Sequence, residues 1–315
     1  MQLRQLGTTG IAIAPLVFGG NVLGWTADEK TSLAILDAFI DQGFNAIDTA
    51  DVYSAWAPGH HGGESESLLG KWFKGRPGVR DKVALFTKVG MNMGADDKQG
   101  LKEKWIVQAV EDSLRRLGTD RIDLYFSHRP DAGTPEQETL GAYAKLLDAG
   151  KIRAIGASNF DAVQLANSLA TARKHGLPSY QVLQPEYNLY DRSSLEGDLH
   201  SLCLKENIGV VTYYSLASGF LTGKYRSKDD LGKSVRGGKI DKYLDVRGLA
   251  MLKQLETVAQ AHQAQLGEVA LAWLMAREGV TAPIASATSV AQAQSFGRAA
   301  QLKLSAAELA ALTAA

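Results

Sequence analysis

Short apolar runs rich in β-forming residues alternate along the chain with longer amphipathic stretches. The apolar runs fall at residues 16–19, 44–48, 83–88, 122–127, 152–156, 180–184, 209–212 and 281–285. Most are continuously apolar, as strands buried on both faces must be. About eight strands, each followed by a helical pattern, predict an α/β fold: a (β/α)8 TIM barrel with a parallel sheet.

The helical stretches carry their own punctuation. Thr134-Pro135-Glu136-Gln137 places an N-cap Thr before a Pro at the first helical position. Ser305-Ala306-Ala307-Glu308 reads as a capping box for a C-terminal helix. Ile106, Val110, Leu114 and Leu117 form one apolar stripe, and Gly118 ends that helix. Two regions depart from the alternation. Residues 1–14 read as a β-hairpin turning at Thr8-Thr9-Gly10 and capping the N-terminal mouth of the barrel. Residues 220–246 read as a long polar loop, of the kind that is mobile or functional. Extra helices follow before the eighth strand, around 247–264 and 267–277; the second is apolar nearly all round and so expected to be buried.

Composition narrows this picture. At 315 residues the chain fits one such barrel, and no linker divides it, so a single domain over 1–315 is expected. Lys and Arg together number 34 against 34 for Asp and Glu, which gives no reason to expect nucleic acid or an anionic membrane as a partner. The lone cysteine, Cys203, excludes an intramolecular disulfide and reads as a small buried residue. The first residues lack the apolar run of a signal peptide, and no stretch is long and apolar enough to span a bilayer, so a cytoplasmic location is expected.

In a barrel of this kind the chemistry sits at the C-terminal ends of the strands. The polar residues that close the apolar runs are therefore the ones to read. The second run ends at Asp48, with Tyr53 shortly after. The third ends at Lys88, and the fourth leads into His128. Ser158-Asn159, Gln184, Tyr213-Tyr214-Ser215 and Ser286 follow at later ends. Each alone has a bland reading: a solvated Lys, a packing Tyr, a satisfied core His. Asp, Tyr, Lys and His at three successive strand ends make a coherent acid–base set. Carbonyl reduction needs a hydride on carbon and a proton on oxygen. A phenol is a poor acid at neutral pH, and a neighbouring ammonium is expected to lower its pKa. Lys88 supplies that charge, Asp48 pairs with it, His128 orients the carbonyl and Tyr53 is the general acid.

These residues, with their contexts, resemble the aldo-keto reductases, and among them the bacterial members related to potassium-channel beta subunits. The stretches are Leu6-Gly7-Thr8-Thr9-Gly10, Ile47-Asp48-Thr49-Ala50-Asp51-Val52-Tyr53, Gly63-Glu64-Ser65-Glu66, Thr87-Lys88, Leu114-Arg115-Arg116-Leu117-Gly118, Ile155-Gly156-Ala157-Ser158-Asn159-Phe160, Gln184-Pro185-Glu186-Tyr187-Asn188 and Leu221-Thr222-Gly223-Lys224-Tyr225. The resemblance covers essentially the whole chain. It implies that Asp48, Tyr53, Lys88 and His128 form the catalytic tetrad. It also implies a nicotinamide dinucleotide bound without a Rossmann fold, and no G-x-G-x-x-G follows a strand here. Phosphate-loop look-alikes at 219–225 and 227–234 lack the required residues. By the same resemblance Gly20 and Asn21 contact the cofactor, Ser158, Asn159 and Gln184 bind the carboxamide, and Tyr213 stacks on the nicotinamide. Tyr214, Ser215, Leu216, Gly219 and Lys224 run along the pyrophosphate, and Ser286, Thr288, Gln292 and Ser295 reach the adenosine. No basic residue occurs between Ser286 and Gly297, so Arg236 or Arg298 is left to meet a 2′-phosphate. Family habit favours NADP(H), with NAD(H) as the alternative.

Trp25, Trp56, Met91 and Tyr190 fall in rim loops and are expected to wall an apolar substrate pocket. His60-His61 lacks further spaced ligands, and no metal is expected. The expected partner is a small carbonyl compound. Two rival readings are an NADPH-binding regulatory or redox-sensing subunit with slow turnover, and a lyase using Lys88 as a Schiff-base amine.

Overall fold

Side chains two apart on a strand share a face, and this alternation, hidden in the sequence because both faces are apolar, builds the molecule. A computed structural model describes residues 1–315. β3 (Val17–Gly19), β4 (Ala46–Asp48), β5 (Ala84–Val89), β6 (Leu124–Ser127), β7 (Ile155–Ser158), β8 (Val182–Gln184), β9 (Gly209–Thr212) and β10 (Val280–Ala285) are parallel neighbours in chain order, and β10 pairs with β3 to close the barrel. The eight predicted runs all contain or overlap these strands. The fifth run, at 152–156, is displaced: Ile152 makes only an isolated bridge to Ile122, and the strand runs on to Ser158.

One set of strand residues points inward. Val17, Ala46, Ala84, Phe86, Leu124, Phe126, Ala154, Val182, Val211, Ala282 and Ile284 form a separate apolar cluster within the barrel. Leu6, Ile11 and Ile13 join it from the hairpin of β1 (Arg4–Gln5) and β2 (Ala12–Ile13), which plugs the N-terminal mouth as expected. The intervening residues, such as Ile47, Leu85, Tyr125, Ile155 and Leu183, point outward into the larger core shared with the helices.

The helices are α1 (Glu29–Ile40), α2 (Glu64–Gly75), α3 (Glu103–Leu117), α4 (Glu136–Asp148), α5 (Ala162–His175), α6 (Asp198–Lys205), α7 (Val246–Ala261), α8 (Leu266–Met275), α9 (Val290–Gln301) and α10 (Ala306–Ala314). The α3 stripe is buried, and Gly118 ends the helix in the left-handed conformation. Ser305 and Glu308 form the capping box of α10. Every residue of α8 from Glu268 to Met275 is buried, and so is Cys203 in α6. The start of α4 corrects the reading of its cap. Pro135 stands just before the first helical residue, and Thr134 turns its hydroxyl to Asp131 instead of to the helix. No helix is long and apolar enough to cross a membrane.

Residues 220–246 also depart from expectation. They are not an open polar loop but a chain of short 3-10 turns, at Ala217–Thr222, Lys228–Lys233, Gly237–Lys239 and Asp241–Tyr243. Buried Phe220, Tyr225, Ile240 and Tyr243 pin the segment to the body, with Phe220 and Tyr243 stacked at 5.2 Å between ring centroids.

Candidate active site

The inward register that supplies the apolar layers continues upward into polar residues. Above Ala46 stands Asp48, above Ala84 and Phe86 stands Lys88, and above Leu124 and Phe126 stands His128. Gln184 and Ser286 follow Val182 and Ile284 by the same period of two, and Ser158 follows Ala154 by two such periods, with Gly156 between. The stagger of the sheet sets their heights. Asp48 is level with Phe86, and Lys88 with Phe126, so Lys88 lies one layer higher and reaches back.

Lys88 is fully buried, and its ammonium uses three donors. It donates to Asp48 Oδ2 at 2.7 Å, to the Thr49 carbonyl at 2.8 Å and to the Tyr53 phenol oxygen at 2.8 Å. Tyr53 donates to the same Asp48 oxygen at 3.3 Å. The other oxygen, Asp48 Oδ1, accepts from Gln184 Nε2 at 2.9 Å. The carboxylate is thus enclosed by donors, as a buried charge requires. His128 lies beside the phenol, 6.0 Å away between ring centroids, and its buried Nδ1 has no protein partner.

Burial lowers the Lys88 ammonium from its ordinary value, although Asp48 pulls the other way. The phenol differs from expectation. Burial first, then the Asp48 carboxylate, hold Tyr53 well above the ordinary phenol range, so in the resting site it keeps its proton. His128 is held well below 6.5, by burial first and then by Lys88 and Arg129, and its imidazole is neutral near pH 7.

Above this cluster opens a cleft of about 870 Å³. Asp48, Tyr53 and His128 line it; Lys88 sits behind them and does not. Asn21, Ser158, Asn159, Gln184, Tyr213, Tyr214, Ser215, Leu216, Gly219, Lys224, Arg236, Ser286, Thr288, Gln292 and Ser295 all face it, as do Trp25, Trp56 and Met91. Two expected residues do not. Gly20 is buried beneath the floor, and a side chain there would meet the Asp48 carbonyl at 2.9 Å; Gly19 lines the cleft instead, where a Cβ would lie 2.6 Å from Ser286 Oγ. Tyr190 is held elsewhere, edge-on to Tyr243 and donating to Asp245 at 2.8 Å.

The rim is partly preorganised. Tyr213 donates to Asn159 Oδ1 at 2.6 Å, and Asn159, at φ 62°, donates to the His128 carbonyl at 2.8 Å. Tyr214, Ala217 and Ser218 have positive φ although none is glycine, strain of the kind that accumulates around functional loops, and Gly219 continues the positive-φ run without strain. Ser286 donates to Asn21 Oδ1 at 2.7 Å. Of the two arginines considered for a phosphate, Arg298 pairs with buried Glu268 at 2.7 Å and is absent from the cleft lining. Arg236 lines the cleft, lies 5.1 Å from the centre of the Trp25 ring, and leaves its buried Nη2 without a partner. Sequence reasoning missed the wall made by Gln265, Gly267 and Glu268 at the start of α8. The capping signal there, Gln265 with Glu268, was readable, but nothing local shows that this helix end abuts the strained 217–222 turn.

The chain is similar to proteins of one known family. The sequence model of the Aldo/keto reductase family matches residues 15–315. The chain is 35% identical to the uncharacterized oxidoreductase YrpG of Bacillus subtilis (strain 168), over 96% of this chain and 92% of that protein. It is 34% identical to the aldo-keto reductase YhdN of the same organism, over 89% and 82%. It is 31% identical to a probable voltage-gated potassium channel subunit beta of Oryza sativa subsp. japonica, over 91% and 88%.

Proposed function

The chain belongs to the aldo/keto reductase family, and from that membership we propose that it reduces aldehydes or ketones to alcohols with a nicotinamide dinucleotide held in the cleft. The observation that carries the proposal is the three-way contact among Asp48, Lys88 and Tyr53 at the floor of that cleft.

The residues present suit such a cofactor. Lys224 and Arg236 are two cations of the cleft with no carboxylate partner, while its carboxylates, Asp48 and Glu268, are paired with Lys88 and Arg298. The dinucleotide's phosphates would be held by Lys224, by Arg236 and by the positive-φ backbone at 214–219. NADP(H) is favoured, with Arg236 for a 2′-phosphate. Ser158, Asn159, Gln184 and Tyr213 would hold the nicotinamide end, and Asn21, Ser286, Thr288, Gln292 and Ser295 the adenosine end. When bound, the cofactor supplies the hydride that reduces the carbonyl carbon.

Tyr53 supplies the proton. Its raised pKa keeps it loaded at neutral pH, and its proton passes to the carbonyl oxygen as that oxygen gains the electron pair of the broken C=O π bond. The phenolate left behind is met by the Lys88 ammonium at 2.8 Å, so the ammonium matters most once charge has moved. Asp48 and the Thr49 carbonyl fix that ammonium in place. Neutral His128 donates an N–H to the carbonyl oxygen and aligns it with the phenol. Lys88 is walled off from the cleft, which speaks against its use as a Schiff-base amine.

The test is steady-state oxidation of NADPH and of NADH with generic aldehydes such as 4-nitrobenzaldehyde and methylglyoxal, preceded by titration of each nucleotide by fluorescence quenching. Turnover at ordinary enzymatic rates supports the proposal. Tight nucleotide binding with negligible turnover would instead favour a regulatory or redox-sensing subunit, a reading motivated by the similarity to proteins named as channel beta subunits.

A further inference from the structure

Asp51 lies two residues before Tyr53 and is 1% exposed, yet neither carboxyl oxygen has a hydrogen-bond partner. Around it stand Glu66 of α2, Arg116 of α3, Lys88 of β5 and Tyr125 of β6, with Tyr143 of α4 beyond. The cations near it are already committed. Lys88 donates to Asp48, Thr49 and Tyr53. Arg116 gives Nε to Glu66 Oε2 at 2.7 Å and Nη2 to Ser113 at 3.3 Å. Glu66 has both oxygens served, since Thr87 donates to Oε1 at 2.6 Å. The Val52 N–H faces the Asp51 carboxyl without reaching hydrogen-bonding geometry. The Tyr125 hydroxyl, also buried, has no partner either.

Two buried carboxyls therefore share one layer, and only one of them has donors. Like charges at such a site split, one group keeping the charge and the other the proton. We propose that Asp51, beside the fully paired Glu66, is a neutral carboxylic acid, a positioning residue whose neutrality leaves the Lys88 cation to Asp48 and Tyr53. Burial first, then Glu66, push the Asp51 carboxyl well above the usual carboxylate range, with weaker opposing pulls from Arg116, Val52 and Lys88. An ionised Asp51 would draw on the Lys88 charge and weaken its hold on a phenolate at Tyr53.

The Asp51→Asn variant keeps the shape and neutrality of the acid and cannot ionise. Infrared difference spectra of wild type minus variant at pH 7 are expected to contain the C=O band of a protonated carboxylic acid; a carboxylate band in its place overturns the proposal. If the amide variant folds poorly, Asp51→Ser gives the same comparison. Stability against pH is a second reading. Folded Asp51 retains a proton that the unfolded chain gives up above about pH 4, so wild type loses stability relative to Asp51→Asn as pH rises, by about tenfold in the unfolding constant per pH unit until the folded acid itself ionises. A constant ratio from pH 5 to 8 contradicts this.

The catalytic part rests on the reduction reading above. There, Asp51→Asn, which is neutral at every pH, is expected to keep kcat within about twofold of wild type at pH 7 with unchanged KM, and to abolish any fall in kcat that follows ionisation of Asp51 at higher pH. A loss of about tenfold or more in kcat for Asp51→Asn at pH 7 overturns the role given to neutrality. A protein with the acid band but no turnover would sink the reduction reading and leave the neutral acid standing.

Discussion

The Lys88 ammonium and the Tyr53 hydroxyl meet at 2.8 Å although 35 positions separate them in the chain. They come from different neighbouring units of the barrel. Lys88 is the third inward residue of β5, and Tyr53 hangs from the turn that follows β4. Neither is free to leave: the ammonium is tied to Asp48 and Thr49, and the turn is tied back where the Asp51 N–H donates to the Lys88 carbonyl at 3.4 Å.

This contact predicts what a single oxygen contributes. Tyr53→Phe removes the proton donor and leaves the ring and the cleft intact. Reduction is expected to fall by about 10²–10⁴-fold, the usual worth of a positioned acid. Nucleotide affinity should remain within a few-fold of wild type. Steady-state rates and fluorescence titration on the same preparation check both halves, and a variant as active as wild type would remove Tyr53 from its role.

The ion pair beneath it makes a prediction about stability. Lys88→Met strands the Asp48 carboxylate with one of its two strongest partners gone, and breaking a buried pair from one side typically costs about 3–5 kcal/mol. Replacing both members with apolar residues, as in Lys88→Met with Asp48→Leu, should recover much of that loss while leaving activity absent. Denaturant unfolding of the single and double variants measures the difference. Equal destabilisation of the two would show that the pair's charge is not what the fold depends on.

His128 predicts a pH dependence. Its folded pKa lies well below 6.5, so between that value and 6.5 the unfolded chain binds a proton that the folded chain does not. Stability from this group is fully present above pH 6.5 and is lost as pH falls, by at most about 1.4 kcal/mol per pH unit. Relative to wild type, His128→Gln should therefore be more stable at pH 5 than it is at pH 7.5. Thermal melts at the two pH values test the sign, and a gap that widens in the opposite direction refutes a neutral imidazole.

Much of this site can be read in the residues. Asp48, Lys88 and His128 were legible because each closes or directly follows an apolar run, whereas the inward register that gathers them was hidden by strands apolar on both faces. Tyr53 was harder, since it lies past the strand in a turn, and its motif was needed to pick it out. Gly20 and Gly19 could not be told apart by composition; the choice depends on which one faces Ser286 and which lies under the Asp48 carbonyl. Tyr190 failed for a related reason. A rim aromatic is apolar wherever it points, and here Asp245 and Tyr243 claim it. The 220–246 segment was judged on its abundant Lys, Gly and Asp, but its conformation is set by sparse apolar anchors, Phe220, Leu221, Tyr225, Ile240 and Tyr243. The sign of the Tyr53 shift was misread because a neighbouring ammonium is visible in the sequence, whereas the depth of burial is not.

The substrate end of the cleft offers a test of specificity. Trp56 is 48% exposed, sits 5.9 Å from the Tyr53 ring and 5.5 Å from Trp25 between centroids, and so presents a large apolar face beside the reacting group. Trp56→Ala should lower kcat/KM for aromatic aldehydes by about tenfold, equivalent to roughly 1.4 kcal/mol of lost ring contact. A small aldehyde such as methylglyoxal, which cannot cover that face, should be affected much less. Equal losses on both substrates would place the ring outside the substrate's path.

The cofactor end turns on Arg236. It is the cleft arginine without an acidic partner, and its buried Nη2 is unused, while Arg298 is bound to Glu268. A charge-assisted hydrogen bond to a phosphate is worth about 1.5–3 kcal/mol. Arg236→Ala should therefore weaken NADPH binding by about 10- to 100-fold, with a loss that shrinks at high salt. If the guanidinium meets a 2′-phosphate, NADH affinity should hardly change, because that group is missing. If it meets the pyrophosphate, both nucleotides lose together. Fluorescence titration of the two nucleotides against wild type and Arg236→Ala separates these outcomes, and unchanged affinity for both would remove Arg236 from the cofactor site.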